Sequence, residues 1–232
     1  MRFHKKNVIR GVLATGGALI IIAGSYSWYQ YRIYKNAMDQ LTTDELKGIY
    51  ADALDREAKL KKEITFDAII GAGFKWKSLG DATQNDYFYK KAIVAYEKGV
   101  KNENARSSLF FLNAGNIYKA MGKFQEADDQ YKQAINLDTG NEANHIARIE
   151  MYMYWKDKTQ DDVLYVIDEA AKVVLANGNI NLLKAEYLSN VGRYEEALRT
   201  YEALLVVYSK TGNSAIIKSK IEELQRKIQV IK

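Results

Sequence analysis

Charged residues are missing from one block of the chain and spread through the rest. From Gly11 to Tyr31 (GVLATGGALIIIAGSYSWYQY) no charge occurs, and Arg10 and Arg32 bracket the block. A helix rising about 1.5 Å per residue crosses the ~30 Å hydrocarbon core over such a length. Tyr26, Trp28, Tyr29, Tyr31 and Tyr34 crowd its far end, where amphipathic rings favour the headgroup layer. The pattern predicts a transmembrane helix over residues 11–31 with an aromatic belt. A cleaved signal peptide is the competing reading, because the start is basic and Ala23, Gly24 and Ser25 are small. Against it, Ile22 stands where cleavage after Gly24 would want a small residue, and a discarded peptide has no use for an aromatic belt. Ala14, Gly17 and Gly24 fall near one helical face, on which a partner transmembrane helix could pack, although glycine is common in spans without that role.

Beyond the block the apolar positions turn helical in period. Thr43-Asp-Glu-Leu-Lys opens with capping signals and leads into Leu46, Tyr50, Leu54 and Leu60, an amphipathic helix within a linker over 32–62. It either joins the structure that follows or serves as a stalk. At the other end, Ile217, Ile221, Leu224, Ile228 and Ile231 recur at four- and three-residue steps among Lys218, Lys220, Glu222, Glu223, Arg226 and Lys227. Residues 212–232 are expected to cap the domain. A coiled-coil dimer is the sharper reading, but the seam is shorter than the three or four heptads it needs.

Between these ends the chain repeats. Gly122-Lys-Phe-Gln-Glu-Ala127 with Tyr131 returns as Gly192-Arg-Tyr-Glu-Glu-Ala197 with Tyr201, two repeat lengths on. Ala92 and Tyr96 precede Ala127 and Tyr131 by one period, and Val163, Ile167 and Ala170 fill the intermediate slot after a one-residue slip. A period near 34 residues, with small residues where helices cross and aromatics beside them, resembles the tetratricopeptide-repeat family. From Ser108 to Asn141 the likeness runs residue by residue. Phe111 replaces the early Trp, Ala114 and Gly115 stand for the Leu-Gly pair, and Tyr118 takes the aromatic position; Gly122 turns, Phe124 begins the second helix, Ala127, Tyr131 and Ala134 form its inner stripe, and Thr139 replaces the closing Pro. The resemblance implies an all-α fold: a tetratricopeptide-like α-solenoid after the membrane helix, with repeats over about 63–102, 108–141, 142–177 and 178–211, closed by a capping helix. Two departures, DATQNDY before Ala92 and KDKTQDD in place of the third glycine turn, are where irregular chain is expected.

Composition alters this picture little. The formal charge is +5, yet Arg2, Lys5, Lys6, Arg10, Arg32 and Lys35 meet no acid in the first 35 residues, and taking those six from the 34 basic residues leaves 28 against 29 acids. The body is almost neutral, which argues against a nucleic-acid partner. Cysteine is absent, removing thiol chemistry and thiolate zinc sites. His145 is the only histidine after His4, Asp161-Asp162 and Glu195-Glu196 are adjacent rather than facing, and no phosphate loop, serine elbow or metal-spaced cluster appears. The expectation is a non-enzyme without catalytic residues, metal or cofactor.

What the resemblance implies about function is binding of other proteins on the concave face of the first helices. In this chain that face is Leu112, Asn116, Lys119, Ile146, Glu150, Met153, Tyr154, Leu182, Glu186 and Asn190. Some of these could instead pack on the linker helix. The carboxylate clamp of one subgroup is not expected, because Leu112, Ile146 and Glu150 stand where cations or Asn would be needed. The short basic tail, residues 1–10, sets the N-terminus on the cytoplasmic side and the repeats outside, which points to the periplasmic side of a bacterial inner membrane. This layout resembles that of ancillary translocon subunits with a periplasmic repeat domain, and the expected role is a chaperone-like module or assembly scaffold of the cell envelope. The alternative is a fixed subunit of a large membrane machine such as a secretion apparatus or flagellar motor.

The charge-free block predicts that the full chain stays with the membrane pellet after alkaline carbonate extraction, and that protease reaches the body only from the side opposite the basic tail. Release by carbonate would remove the anchor from this account.

Overall fold

The computed structural model describes residues 27–103, 105–174, 178–209 and 214–231. The expected span over 11–31 lies, up to residue 26, outside the described residues. No helix among the described residues is long and apolar enough to cross a membrane. The described residues form eleven helices and no strand: α1 (27–39), then α2 (Asp44–Lys62), α3 (Phe66–Thr83), α4 (Asp86–Lys101), α5 (Ser108–Ala120), α6 (Phe124–Leu137), α7 (Glu142–Tyr154), α8 (Gln160–Val173), α9 (Gly178–Asn190), α10 (Tyr194–Tyr208) and α11 (Ser214–Ile231). Two compact units divide at Ala95 and Tyr96, inside α4.

Many helices start where a short polar side chain accepts from a free backbone N–H of the first turn. Thr43 accepts from Leu46, Thr65 from Ala68, Ser107 from Leu109 and Asn141 from Ala143. Thr159 and Asp162 form a reciprocal capping box at the head of α8. The helices of the repeats are short enough to be marginal alone, so packing has to hold them.

In the first unit an aromatic cluster joins all four helices. Trp76 of α3 stacks on Phe88 of α4 at 6.2 Å, Tyr50 of α2 meets both edge-on, and Tyr34 of α1 meets Tyr87 at 5.8 Å. Burial, and then the neighbouring Tyr34 hydroxyl, push Tyr50 up to about 12, so it is a neutral phenol throughout the physiological range. Lys75 and Lys91 reach back to Asp52 and Glu57 of α2 at 2.8 and 3.1 Å. Residues 32–62 therefore pack into this unit instead of standing off as a stalk. The irregular chain expected at Asp81–Tyr87 is not found: α3 runs through to Thr83, and only Gln84 and Asn85 separate it from α4. Gln84 makes the turn in the left-handed region, at φ 52°, and its amide donates to the Asp81 carbonyl at 2.7 Å. Asn85 caps α4 by accepting from Tyr87 N–H at 2.9 Å.

The second unit stacks three helical hairpins, α5/α6, α7/α8 and α9/α10, and lays α11 against α10. The turns of the first and third hairpins are alike. Lys123 N–H donates to the Tyr118 carbonyl and Arg193 N–H to the Leu188 carbonyl, both at 2.9 Å, across Gly122 and Gly192 at φ 71° and 82°. A left-handed residue closes each helix, which glycine does without a Cβ penalty. The middle hairpin has no such glycine, and there the expected irregular chain is present from Trp155 to the Thr159 cap. The core runs through Ala127, Tyr131, Ile149, Val163, Ile167, Ala170, Ala185, Ala197, Tyr201 and Leu204 into Ile217, Ile221 and Leu224 of α11. The apolar stripe of α11 is shorter than its sequence suggested, since Ile231 is 70% exposed.

A buried ionic knot ties α6 to α7. The Asp128 carboxylate, only 3% exposed, accepts from Arg148 Nε at 2.7 Å and Lys132 Nζ at 2.6 Å, and from the Tyr152 hydroxyl at 3.3 Å. Burial alone would raise its pKa, but the bonds from Lys132 and then Arg148, with their charges, prevail and hold the carboxyl below the ordinary aspartate range. A depressed folded value means that the stability Asp128 supplies is complete above the unfolded value, near 4, and is lost as pH falls through the folded one. Asp128→Asn is expected to cost roughly 3 kcal/mol at neutral pH, because it leaves Arg148 without its counter-charge. Urea unfolding of both proteins should show the difference narrowing below about pH 4, and a difference that is the same at pH 7 and pH 3 would contradict the ionic account.

Candidate functional site

The first helices of the three hairpins, α5, α7 and α9, present equivalent slots in turn. Leu112, Ile146 and Leu182 occupy one slot. All three are half-buried and rest on the core of the second unit, as does Met153. They form an aliphatic floor. The next slot holds Asn116, Glu150 and Glu186, and the last turns carry Lys119, Tyr154 and Asn190. These ten residues, drawn from three helices, are the face expected from the sequence.

The polar members are not equivalent. Asn116 Oδ1 accepts from the Tyr131 hydroxyl at 2.8 Å, so the core of its own hairpin already uses that oxygen. Lys119 Nζ lies 3.8 Å from Glu150 Oε2, a long and half-exposed pair that bridges α5 and α7. An ion pair in that setting contributes little to stability and opens at small cost. Glu186 and Asn190 are exposed on α9, and Tyr154 is 74% exposed at the end of α7. Glu186 is near enough to add to burial in raising Tyr201, which stands at about 12. With Lys119 engaged by Glu150, the face carries a net negative charge from Glu186 and offers amide, carboxylate and phenol groups over an aliphatic floor.

Among the described residues no group of histidine, aspartate or glutamate side chains could hold a metal ion. His145 is buried, and its Nε2 donates to the Thr139 carbonyl at 2.8 Å, while Asn144 donates to the carbonyls of Ala134 and Asp138 at 3.2 and 3.4 Å. Together they fix the connection from α6 to α7. The sequence reading passed over one signal in the first unit: Trp76-Lys-Ser-Leu79-Gly80 has the Trp-x-x-Leu-Gly spacing that opens a helical repeat of this length. All three marked residues are buried, and a Cβ at Gly80 would collide with the Tyr89 ring. The polar run Asp81–Tyr87 masks the motif, because it reads as the end of a helix near Gly80.

Residues 110–141 match the family model described as tetratricopeptide repeat. The TPR repeat-containing protein YpiA of Bacillus subtilis (strain 168) is 24% identical over 131 residues, 56% of this chain and 30% of that protein. The chain therefore spans less than a third of the length of the curated relative it matches. Two solved structures are also similar: MamA AMB-1, 16% identical with a TM-score of 0.37 over 66% of this chain and 92% of that one, and MamA MSR-1, 17% identical with a TM-score of 0.36 over 67% and 97%. A likeness that loose carries no argument about the arrangement.

The geometry separates the stability of this face from its availability. Asn116→Ala leaves a buried hydroxyl without its acceptor and is expected to destabilise the chain by about 1–3 kcal/mol in urea unfolding. Tyr154→Ala is expected to stay within about 0.5 kcal/mol of the parent. Equal losses in both would mean that Tyr154 is part of the core.

Proposed function

Starting from a chain that carries a tetratricopeptide repeat, we propose that it is a membrane-tethered protein-interaction module whose second unit holds polypeptide segments of partner proteins in the cell envelope, as a chaperone-like or assembly scaffold. The observation that carries this reading is the repetition of slots across α5, α7 and α9, with Leu112, Ile146 and Leu182 as floor and Asn116, Glu150 and Glu186 above it. A segment lying along the three helices meets an aliphatic side chain on each, with Asn116, Glu150 and Glu186 beside them in different states of engagement. Its apolar side chains cover the floor, and its backbone amides or cations meet the carboxylates. Met153 and Tyr154 add adaptable apolar contact at one end. The family match supports protein binding in general. The charge-free block and the basic tail support the tether and the extracytoplasmic orientation.

Capture of crosslinked partners by the full chain tests it. Tyr154→Ala combined with Glu186→Lys is expected to cut capture several-fold while the helical circular-dichroism signal and melting temperature stay at parent values. Both side chains are exposed, so they serve better than Asn116, whose loss perturbs Tyr131. Undiminished capture by the double variant, together with loss of capture when residues 11–31 are exchanged for an unrelated span, would place the partner in the membrane and overturn the groove.

A further inference from the structure

Two open surface depressions of about 410 and 330 Å³ lie on α1 in the first unit, the first lined by α1 alone and the second shared with α4, and Arg32 and Asn36 line both. Trp28, Tyr31 and Lys35 complete the working wall of the first, and Tyr29 and Lys90 that of the second. Trp28 is 62% and Tyr31 61% exposed, while α1 docks by burying Ala37 and half-burying Ile33 and Met38. Among the described residues of this unit none buries the aromatic side of α1. Among the described residues no carboxylate stands within ion-pair distance of Arg32, Lys35 or Lys90. Arg32 instead lies over the Trp28 ring at 5.6 Å. Lys90 is held at this level because Asn85, at the head of α4, donates to Asn36 Oδ1 on α1 at 3.2 Å and to Gln40 Oε1 just past its end at 2.8 Å.

We propose that these two depressions are a glycerophospholipid headgroup site, in which Arg32, Lys35 and Lys90 take the phosphate and Trp28, Tyr29 and Tyr31 sit at the acyl boundary. The proposal rests on the reading of residues 11–31 as a span. If the hydrocarbon ends near Tyr31, Arg32 lies about 1.5 Å and Lys35 about 6 Å beyond it along the helix, within a headgroup layer of roughly 5–8 Å. Charge complementarity selects the phosphate, and the exposed rings select a bilayer over a soluble phosphate compound. Asp39 and Asp86 also line the depressions, where they suit the ammonium or hydroxyl end of the same headgroup.

The test uses the full chain purified in mild detergent with phospholipid, or with diacylglycerol of the same acyl chains, and counts retained lipid by native mass spectrometry. A cation near a charged headgroup layer is worth about fivefold in affinity. The parent is expected to retain phospholipid over diacylglycerol, R32Q/K35Q/K90Q to lose that preference more than tenfold, and K218Q/K220Q on α11 to keep it. Equal phospholipid retention by the parent and R32Q/K35Q/K90Q, or equal retention of the two lipids by the parent, overturns the site. Should the triple variant melt early, Lys35→Gln alone, on the exposed side of α1, carries the same comparison. Failure of the span is read separately: a chain released by alkaline carbonate has no anchor, and flotation of parent and variant with phospholipid vesicles then decides the site.

Discussion

The first hairpin of the second unit stays folded because one side of its crossing has almost no side chain. At Gly115 a Cβ would lie 2.6 Å from the Tyr131 ring, a distance no real contact reaches. The glycine on α5 and the tyrosine on α6 therefore fill one volume between them, and the Tyr131 hydroxyl, carried through the crossing, ends on Asn116. Interiors pack at crystal-like density, so this complementarity sets the separation of the two helices and the rotation of each. In the third hairpin Ala185 and Tyr201 take the same places and both are buried. The placement of α5 on α6 and of α9 on α10 follows from these crossings.

Polar ties then fix one hairpin against the next. Hydrophobic contact is non-directional and would allow a hairpin to slide on its neighbour. The Asp128 carboxylate grips Arg148 and Tyr152 of the following helix, and an unpaired charge in that place would be costly. Arg193 acts similarly at the surface, holding Glu196 bidentately through Nε and Nη2 at 2.6 and 2.7 Å and reaching Asp161 of α8 through Nη1 at 3.3 Å. Exposed pairs of this kind contribute less energy, but they agree with the buried one in direction. In the first unit aromatic contacts stand beside the Lys75–Asp52 and Lys91–Glu57 pairs, and Tyr34, Tyr50, Trp76, Tyr87 and Phe88 tie α1 to the rest.

Taken together, the two units divide the proposed work. In the first, rings and cations stand exposed on α1. In the second, half-buried aliphatic side chains and more exposed polar ones recur along α5, α7 and α9.

Local signals were legible in the sequence because they depend only on residues close in the chain. Thr43, Thr65, Ser107 and Thr159 start helices wherever they stand, Gly122 and Gly192 adopt φ values that other residues avoid, and the spacing of Ala127, Tyr131, Ala197 and Tyr201 follows from the helical period. The charge-free block and the near-neutral body are likewise properties of the sequence itself. Only the tertiary structure decided matters that join distant positions. It removed the irregular turn expected before Ala92, since Gln84 takes the left-handed region and two residues suffice. It committed Asn116 to Tyr131 and paired Lys119 with Glu150, so that two of the ten residues expected on the face have partners within the chain. It also brought Lys90 beside Arg32 across more than fifty residues of chain. Capping and period are set by backbone geometry within a turn, whereas these partnerships depend on which helices meet and at what distance, which packing alone determines.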